Sequence, residues 1–139
     1  RPAIHVRDVC SAFAAGLEAP ADLVDGRAFN VGVSGGNHTV RELADTAGEV
    51  VPGSRVVFTG EHGGDSRTYT VSFSRILQEL AGLYQPSWGL LAGGRDLCRL
   101  FDRVGFDALT FRGSTCNRLQ RLEELASAGR LDDDLRLVG

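Results

Sequence analysis

Residues 63–77, GGDSRTYTVSFSRIL, constrain the fold more than any other stretch of this chain. The paired glycines at its start permit a turn with positive φ. Residues 68–71 are β-branched or aromatic and predict a short strand, and Ser72 or Ser74 can cap a following helix that Gly82 ends. A turn, a strand and a helix in direct succession are typical of a fold that mixes both kinds of element.

The rest of the chain repeats these strand and helix signals. The predicted strands lie at 4–6, 28–31, 55–58 and 68–71, and the predicted helices begin near Asp8, Thr39, Ser74, Leu91 and Asn117. Thr39 and Glu42 have the spacing of a capping box. A chain of 139 residues, 42% of them hydrophobic, is long enough for one region with its own core. The sequence therefore predicts a mixed α/β fold of short strands and about five helices over 1–139.

Charge and composition exclude several classes of function. A net charge of -3 provides no basic footprint for nucleic acid, and no apolar run approaches the length of a membrane span. The 3 cysteines are irregularly spaced, which favours reduced thiols in a cytoplasmic protein. All 15 basic residues are arginine, so mechanisms that need a lysine, such as a Walker phosphate loop, are excluded. The absence of methionine favours a fragment of a longer protein.

Other patterns do not favour catalysis by this chain. Gly32-x-x-Gly35 follows a predicted strand and precedes a helix, but it lacks the full dinucleotide spacing, so a plain turn is favoured. The cysteines and histidines share no spacing that pairs a thiolate with a base; they are Cys10, Cys98, Cys116, His5, His38 and His62. The same residues lack the paired ligand spacing of a metal site.

Several segments, taken together, resemble one enzyme family. RPAIHVRDV at 1–9 is similar to its Arg-x-aromatic-Ile-His-Val-Asp-Asp-Val segment. AFNVG at 28–32 and TVRELA at 39–44 are similar to its Phe-Asn-Val-Gly strand and Thr-Ile-x-Glu-Leu-Ala helix. GDSRTY at 64–69 with SRI at 74–76 is similar to its Gly-Asp…Arg-x-Tyr…Asp-x-Ser-Lys-Ile segment. The family is the extended short-chain dehydrogenase/reductases, which are NAD(P)-dependent sugar-nucleotide epimerases and dehydratases.

The resemblance covers about residues 1–104 and implies a C-terminal, substrate-binding part of such an enzyme. The N-terminal Rossmann half, with the glycine fingerprint and the catalytic Tyr-x-x-x-Lys, is then missing. A nucleotide sugar is the expected ligand, and NAD(P) is expected in the intact protein but not bound by this chain. With its Rossmann partner absent, the chain is expected to self-associate or to be poorly stable. The alternative interpretation is a free-standing, non-catalytic α/β interaction domain.

The resemblance also implies a site for the nucleotide diphosphate. The arginine that opens the Ile-His-Val segment contacts the diphosphate in the family, and it corresponds to Arg1. A second diphosphate arginine of the family corresponds to His62, which is a departure from the pattern. Arg67 is a candidate replacement, with a surface ion pair as its alternative role. Arg1 and Arg67 are then expected to approach one cleft, with Asn37 or His62 near its rim. Further departures, at Arg7, Ser72 and Arg75, leave the sugar and the base open.

Overall fold

The computed structural model describes residues 1–60 and 69–138, and in these ranges the chain is mainly helical. The helices are α1 (Val6–Glu18), α2 (Ala21–Val24), α3 (Val40–Val50), α4 (Ser74–Glu79), α5 (Leu90–Val104), α6 (Ala108–Arg112) and α7 (Arg118–Ser127). Among the described residues no sheet forms, and β pairing is limited to two isolated bridges, Pro2 with Asn37 and Leu131 with Leu137. The expectation of a mixed α/β fold with short strands is therefore wrong.

In and beside the predicted strands at 28–31 and 68–71, backbone carbonyls bind side chains instead of a neighbouring strand. Arg75 donates from Nη1 to the carbonyl oxygen of Ala28 at 3.0 Å, and Asn30 donates from Nδ2 to the carbonyl of Ser72 at 3.2 Å. β-branched and aromatic residues favour an extended chain, but a strand also requires a partner that satisfies its N–H and C=O groups. Residues 28–31, 55–58 and 69–71 have no such ladder, and the segment at 4–6 runs into the first turn of α1.

The helix signals are more accurate than the strand signals. The capping box that begins α3 is confirmed: Thr39 Oγ1 accepts from the N–H of Glu42, whose carboxylate accepts from the N–H of Thr39. Helix α7 follows Asn117, whose Oδ1 accepts from Gln120 N–H. Helix α5 begins one residue before the predicted start. Helix α4 ends three residues before Gly82.

Two short helices and one cap were not predicted. Helices α2 and α6 have four and five residues, and α6 begins after Asp107, which accepts from the N–H of Thr110 at 2.7 Å. The cap of α1 is His5 rather than Asp8, because the imidazole Nδ1 accepts from the N–H of Arg7 at 3.2 Å. Asp8 then lies in the first turn of the helix and is free to bind elsewhere.

The chain divides into two compact units, Arg1–Cys98 and Arg99–Gly139. The core of the first unit joins α1 to α4 and to the segment after it, through Ala12, Ala15, Ile76, Leu80 and Tyr84. In the second unit none of the described residues is fully buried, and Phe101 stacks on Phe106 with ring centroids 4.5 Å apart. Within the described ranges, no helix combines the length and the apolar character needed to cross a bilayer.

Candidate functional site

The backbone of Arg1 is held by pairing between the start of the chain and the loop that precedes α3. The carbonyl oxygen of Arg1 accepts from the N–H of His38 at 2.8 Å, and the N–H of Ala3 donates to the carbonyl of Gly36 at 2.9 Å. The amino group of Arg1 also donates to the carbonyl oxygen of His38. These bonds fix the backbone while the residue as a whole stays exposed, so its guanidinium is accessible to a ligand.

Tyr69 supports the Arg1 side chain. The guanidinium carbon of Arg1 lies 5.5 Å from the centroid of the Tyr69 ring, within the range of a cation–π contact. Such a contact orients the guanidinium without using its N–H donors, which point outward in the plane of the group. The ring of Tyr69 is itself about half exposed. The pair therefore presents an oriented cation beside an accessible aromatic face.

Asn37 joins the two segments that carry this pair. Its Nδ2 donates to the carbonyl oxygen of Val71 at 2.9 Å, and its Oδ1 accepts from the N–H of Val71 at 3.0 Å. The side-chain amide thus pairs with both the N–H and the C=O of one residue, in the way that a neighbouring strand would. Asn37 lies close to Arg1 and positions the segment that bears Tyr69. The other two expected site residues, His62 and Arg67, lie outside the described residues.

The glycine loop before α3 is used for turning and packing. A Cβ added at Gly32 would lie 2.3 Å from the Phe73 ring, and one added at Gly36 would lie 3.0 Å from a Val33 methyl group. Gly35 has φ of 70°, which a turn requires. Because the Phe73 ring fills the approach to Gly32, the loop does not fit the pyrophosphate of a dinucleotide, which needs an open glycine backbone.

A buried carboxylate, whose role sequence reasoning missed, lies in the first turn of α1. Asp8 is 3% exposed, and its two oxygens accept from the backbone N–H groups of Ser87 and Trp88 at 3.1 and 3.0 Å. Both bonds span about eighty positions of sequence, so no local pattern predicts them. Asp8 fixes the turn that precedes α5 to the first turn of α1.

His5 and Asp96 form a second polar contact in the same region. The imidazole Nε2 lies 3.4 Å from Asp96 Oδ2, and the ring stacks on Trp88 with centroids 4.2 Å apart. Because Nδ1 accepts the cap bond of α1, the neutral imidazole carries its proton on Nε2, facing Asp96. The Arg7 guanidinium lies over Trp88 at 4.9 Å and 3.8 Å from Asp96. These bonds make the cluster a connection between α1 and α5.

The thiols take no part in either cluster. Cys98 lies 3.7 Å from the carbonyl oxygen of Val50, and Cys10 and Cys116 are exposed. Over residues 1–60 and 69–138, no group of three or more His, Cys, Asp or Glu side chains could hold a metal ion.

The first turn of α3 contains a negatively charged side chain, that of Glu42. Two hydrogen bonds from Thr39, one from its backbone and one from its hydroxyl, lower the pKa of the Glu42 carboxyl, and the charges of His38 and the Arg1 amino group contribute further. The carboxylate thus binds the N–H of Thr39 and places a negative charge at the start of α3, which disfavours an external anion there.

A scan against protein-family models finds no match for the chain, and a search of solved structures finds no matching fold.

Proposed function

We propose that the chain is the substrate-binding part of an NAD-dependent sugar-nucleotide epimerase or dehydratase, in which Arg1 binds the nucleotide diphosphate. One observation carries the proposal. The backbone hydrogen bonds between residues 1–3 and 36–38, together with the Asn37 amide, bring Arg1 and Tyr69 together from segments 68 positions apart in sequence. Residues 1–9 and 64–69 are two of the segments on which the family resemblance is based.

The chemistry of this pair suits a phosphate ester. A guanidinium offers planar, paired N–H donors that match two phosphate oxygens, and it keeps its charge at every physiological pH. Each well-aligned, charge-assisted bond contributes about 1.5–3 kcal/mol. The exposed face of Tyr69 provides an apolar surface beside the cation, on which a planar base or a sugar ring can pack.

The proposed role of this chain is limited to binding. The glycine loop at Gly32 does not fit a dinucleotide, and the chain contains no lysine to complete a Tyr-x-x-x-Lys relay. We therefore expect no tight binding of NAD and no turnover by these 139 residues. NAD(P) belongs to the intact protein under this proposal, which we place in the cytoplasm.

Isothermal titration of the chain with UDP-glucose, dTDP-glucose and GDP-mannose tests the proposal. We expect one of them to bind, and Arg1→Ala to weaken that affinity roughly ten- to hundredfold. The matched control is Arg55→Ala, which removes an exposed arginine that lies outside the paired segments 1–3 and 36–38. No binding of any nucleotide sugar, or equal losses with Arg1→Ala and Arg55→Ala, would overturn the assignment of Arg1.

A non-catalytic interaction domain is the second candidate. One observation favours it: α1 exposes the large apolar residues Val6, Phe13 and Leu17. Contiguous apolar side chains of this kind mark surfaces that bind another macromolecule. This candidate predicts that Arg1→Ala changes nothing measurable, whereas substitution of Phe13 by a charged residue abolishes association.

A further inference from the structure

We infer that α1 pairs with α1 of a second copy of this chain, in an antiparallel arrangement. One face of the helix is a continuous apolar stripe made of Val6, Cys10, Phe13 and Leu17, which we call the α1 stripe. The three large side chains of the stripe are 66%, 72% and 87% exposed, and Cys10 is exposed as well. Pairing through this stripe does not require nucleotide binding.

The spacing of the α1 stripe fits a copy of itself. Its residues follow one another at intervals of four, three and four, so all four project from the helix within an arc of about 60°. The same intervals are obtained when the stripe is read backwards. When two copies pack antiparallel about a twofold axis, Val6 is level with Leu17 of the second copy, and Cys10 is level with its Phe13. The interface is then isologous and fully apolar along its centre.

The exposed charges of α1 select the antiparallel direction. Arg7 and Glu18 flank the same edge of the stripe, and both are exposed. In the antiparallel pair, Arg7 lies about 3 Å along the axis from Glu18 of the second copy, on the same edge. A parallel pair would instead place each charge level with the same charge of the other copy. The interface is therefore electrostatically complementary in one direction only.

The helix dipole supports the same choice. Arg7 stands in the first turn of α1 and Glu18 in its last turn, where each charge faces the end of the dipole that has its own sign. In an antiparallel pair, Arg7 lies beside the negative end of the second helix and Glu18 beside its positive end. A placement that is unfavourable for a single helix becomes favourable for the pair. Ala14 and Gly16 border the stripe and leave room for close packing, because a Cβ at Gly16 would meet nothing within 4 Å.

The area of the stripe predicts a weak dimer. A stable interface buries about 800 Å² on each partner, and four residues on one helix supply only part of that area. We therefore expect a dissociation constant between roughly 10 μM and 1 mM. Sedimentation equilibrium of the 139-residue chain over that concentration range measures it directly.

Phe13→Asp tests the face that forms the dimer. Phe13 is exposed in the monomer, so its replacement removes interface area while leaving the core intact; circular dichroism melts check that the variant folds. We expect the association constant to fall about a hundredfold or more, because both copies lose the ring. Val57→Asp is the control, since Val57 is 61% exposed and lies outside α1. A monomer at about 1 mM, or a dimer that Phe13→Asp does not weaken, would overturn the inference.

The direction of pairing has its own test. We expect Glu18→Arg to weaken the dimer and addition of Arg7→Glu to restore it, because the two charges exchange places. Failure of the charge exchange to restore the dimer would contradict the antiparallel direction.

Discussion

The phenolic oxygen of Tyr84 donates a hydrogen bond to the carbonyl oxygen of Gly32, 3.0 Å away and 52 positions earlier in the sequence. Tyr84 is 2% exposed, so neither group has water as an alternative partner. The bond anchors the glycine loop to the core of the first unit. The loop in turn carries residues 36–38, whose backbone bonds hold Arg1. The proposed diphosphate site is thus connected to the packing of α1 and α4.

Replacing Tyr84 by phenylalanine is predicted to destabilise the protein. The ring still fills its place in the core, but the Gly32 carbonyl loses its partner in a buried environment. Leaving a buried acceptor unsatisfied costs about 1–3 kcal/mol of unfolding free energy. Urea unfolding followed by circular dichroism measures the loss. Tyr69→Phe is the control and is expected to change the unfolding free energy by less than about 0.5 kcal/mol, because Tyr69 is half exposed.

Tyr84 is also predicted to titrate late on the alkaline side. Burial, and then the negative charge of Asp8, raise the pKa of the Tyr84 hydroxyl above its usual 10.0. Since the folded state favours the neutral phenol, this contribution to stability is present below pH 10.0 and is lost as pH rises through the folded pKa. A Tyr69→Phe variant retains Tyr84 as its one tyrosine. We expect the ultraviolet absorbance of this tyrosine to change at a higher pH in the folded protein than in the protein unfolded by urea. Identical midpoints in the two states would refute the shift.

Local signals in the sequence are sufficient for the helices but not for the rest of the fold. The capping box of Thr39 and Glu42 lies within four residues, so it is visible in the sequence and is confirmed. The extended segments were misjudged because strand propensity does not reveal whether a partner strand exists. At Ala28 and Val71 the partners are the side chains of Arg75 and Asn37, which are distant in sequence.

The candidate site shows the same limit. Arg1 was selected from the family resemblance and Asn37 was expected near the same site; the structure brings them close together, and their role in binding is a proposal. Tyr69 was read as part of a strand, and its contact with Arg1 could not be anticipated from spacing. Asp8 was assigned to the cap of α1, because an aspartate before an apolar stripe is typical of that role. Its actual partners lie about eighty positions away, at Ser87 and Trp88.

Asp8→Asn is predicted to loosen the turn that precedes α5. An asparagine retains one acceptor oxygen, but its NH₂ group would face a backbone N–H that now lacks a partner. We expect a loss of about 1–3 kcal/mol in unfolding free energy, and a larger loss for Asp8→Ala, which removes both acceptors. Trp88 is the one tryptophan of the chain, so its fluorescence reports directly on this turn. The exposed Asp22→Asn is the control and should leave both the stability and the fluorescence unchanged.

Two glycine-to-alanine substitutions are predicted to act in opposite directions. At Gly32 the new methyl group would lie 2.3 Å from the Phe73 ring, so either the ring or the loop must move. Overpacking of this kind costs about 1–3 kcal/mol. Gly16 lies inside α1 with open space around it, and alanine there should stabilise the protein by about 0.4–1 kcal/mol. Thermal melts at low protein concentration compare the two; stabilisation by Gly32→Ala would contradict the packing at Phe73.

The capping box of α3 makes the unfolding free energy of the first unit depend on pH. Hydrogen bonds from Thr39 lower the pKa of Glu42 below 4.5, so the folded state favours the carboxylate. The contribution of this charge is therefore present above pH 4.5 and is lost as pH falls through the folded pKa. Glu42→Gln preserves the shape and the hydrogen-bonding capacity of the cap but removes the charge. In a His38→Gln background, which removes the neighbouring imidazole, we expect Glu42→Gln to lower stability at about pH 7 and to lower it less near pH 3. Equal differences in unfolding free energy at both pH values would mean that the charge of Glu42 does not stabilise the start of α3.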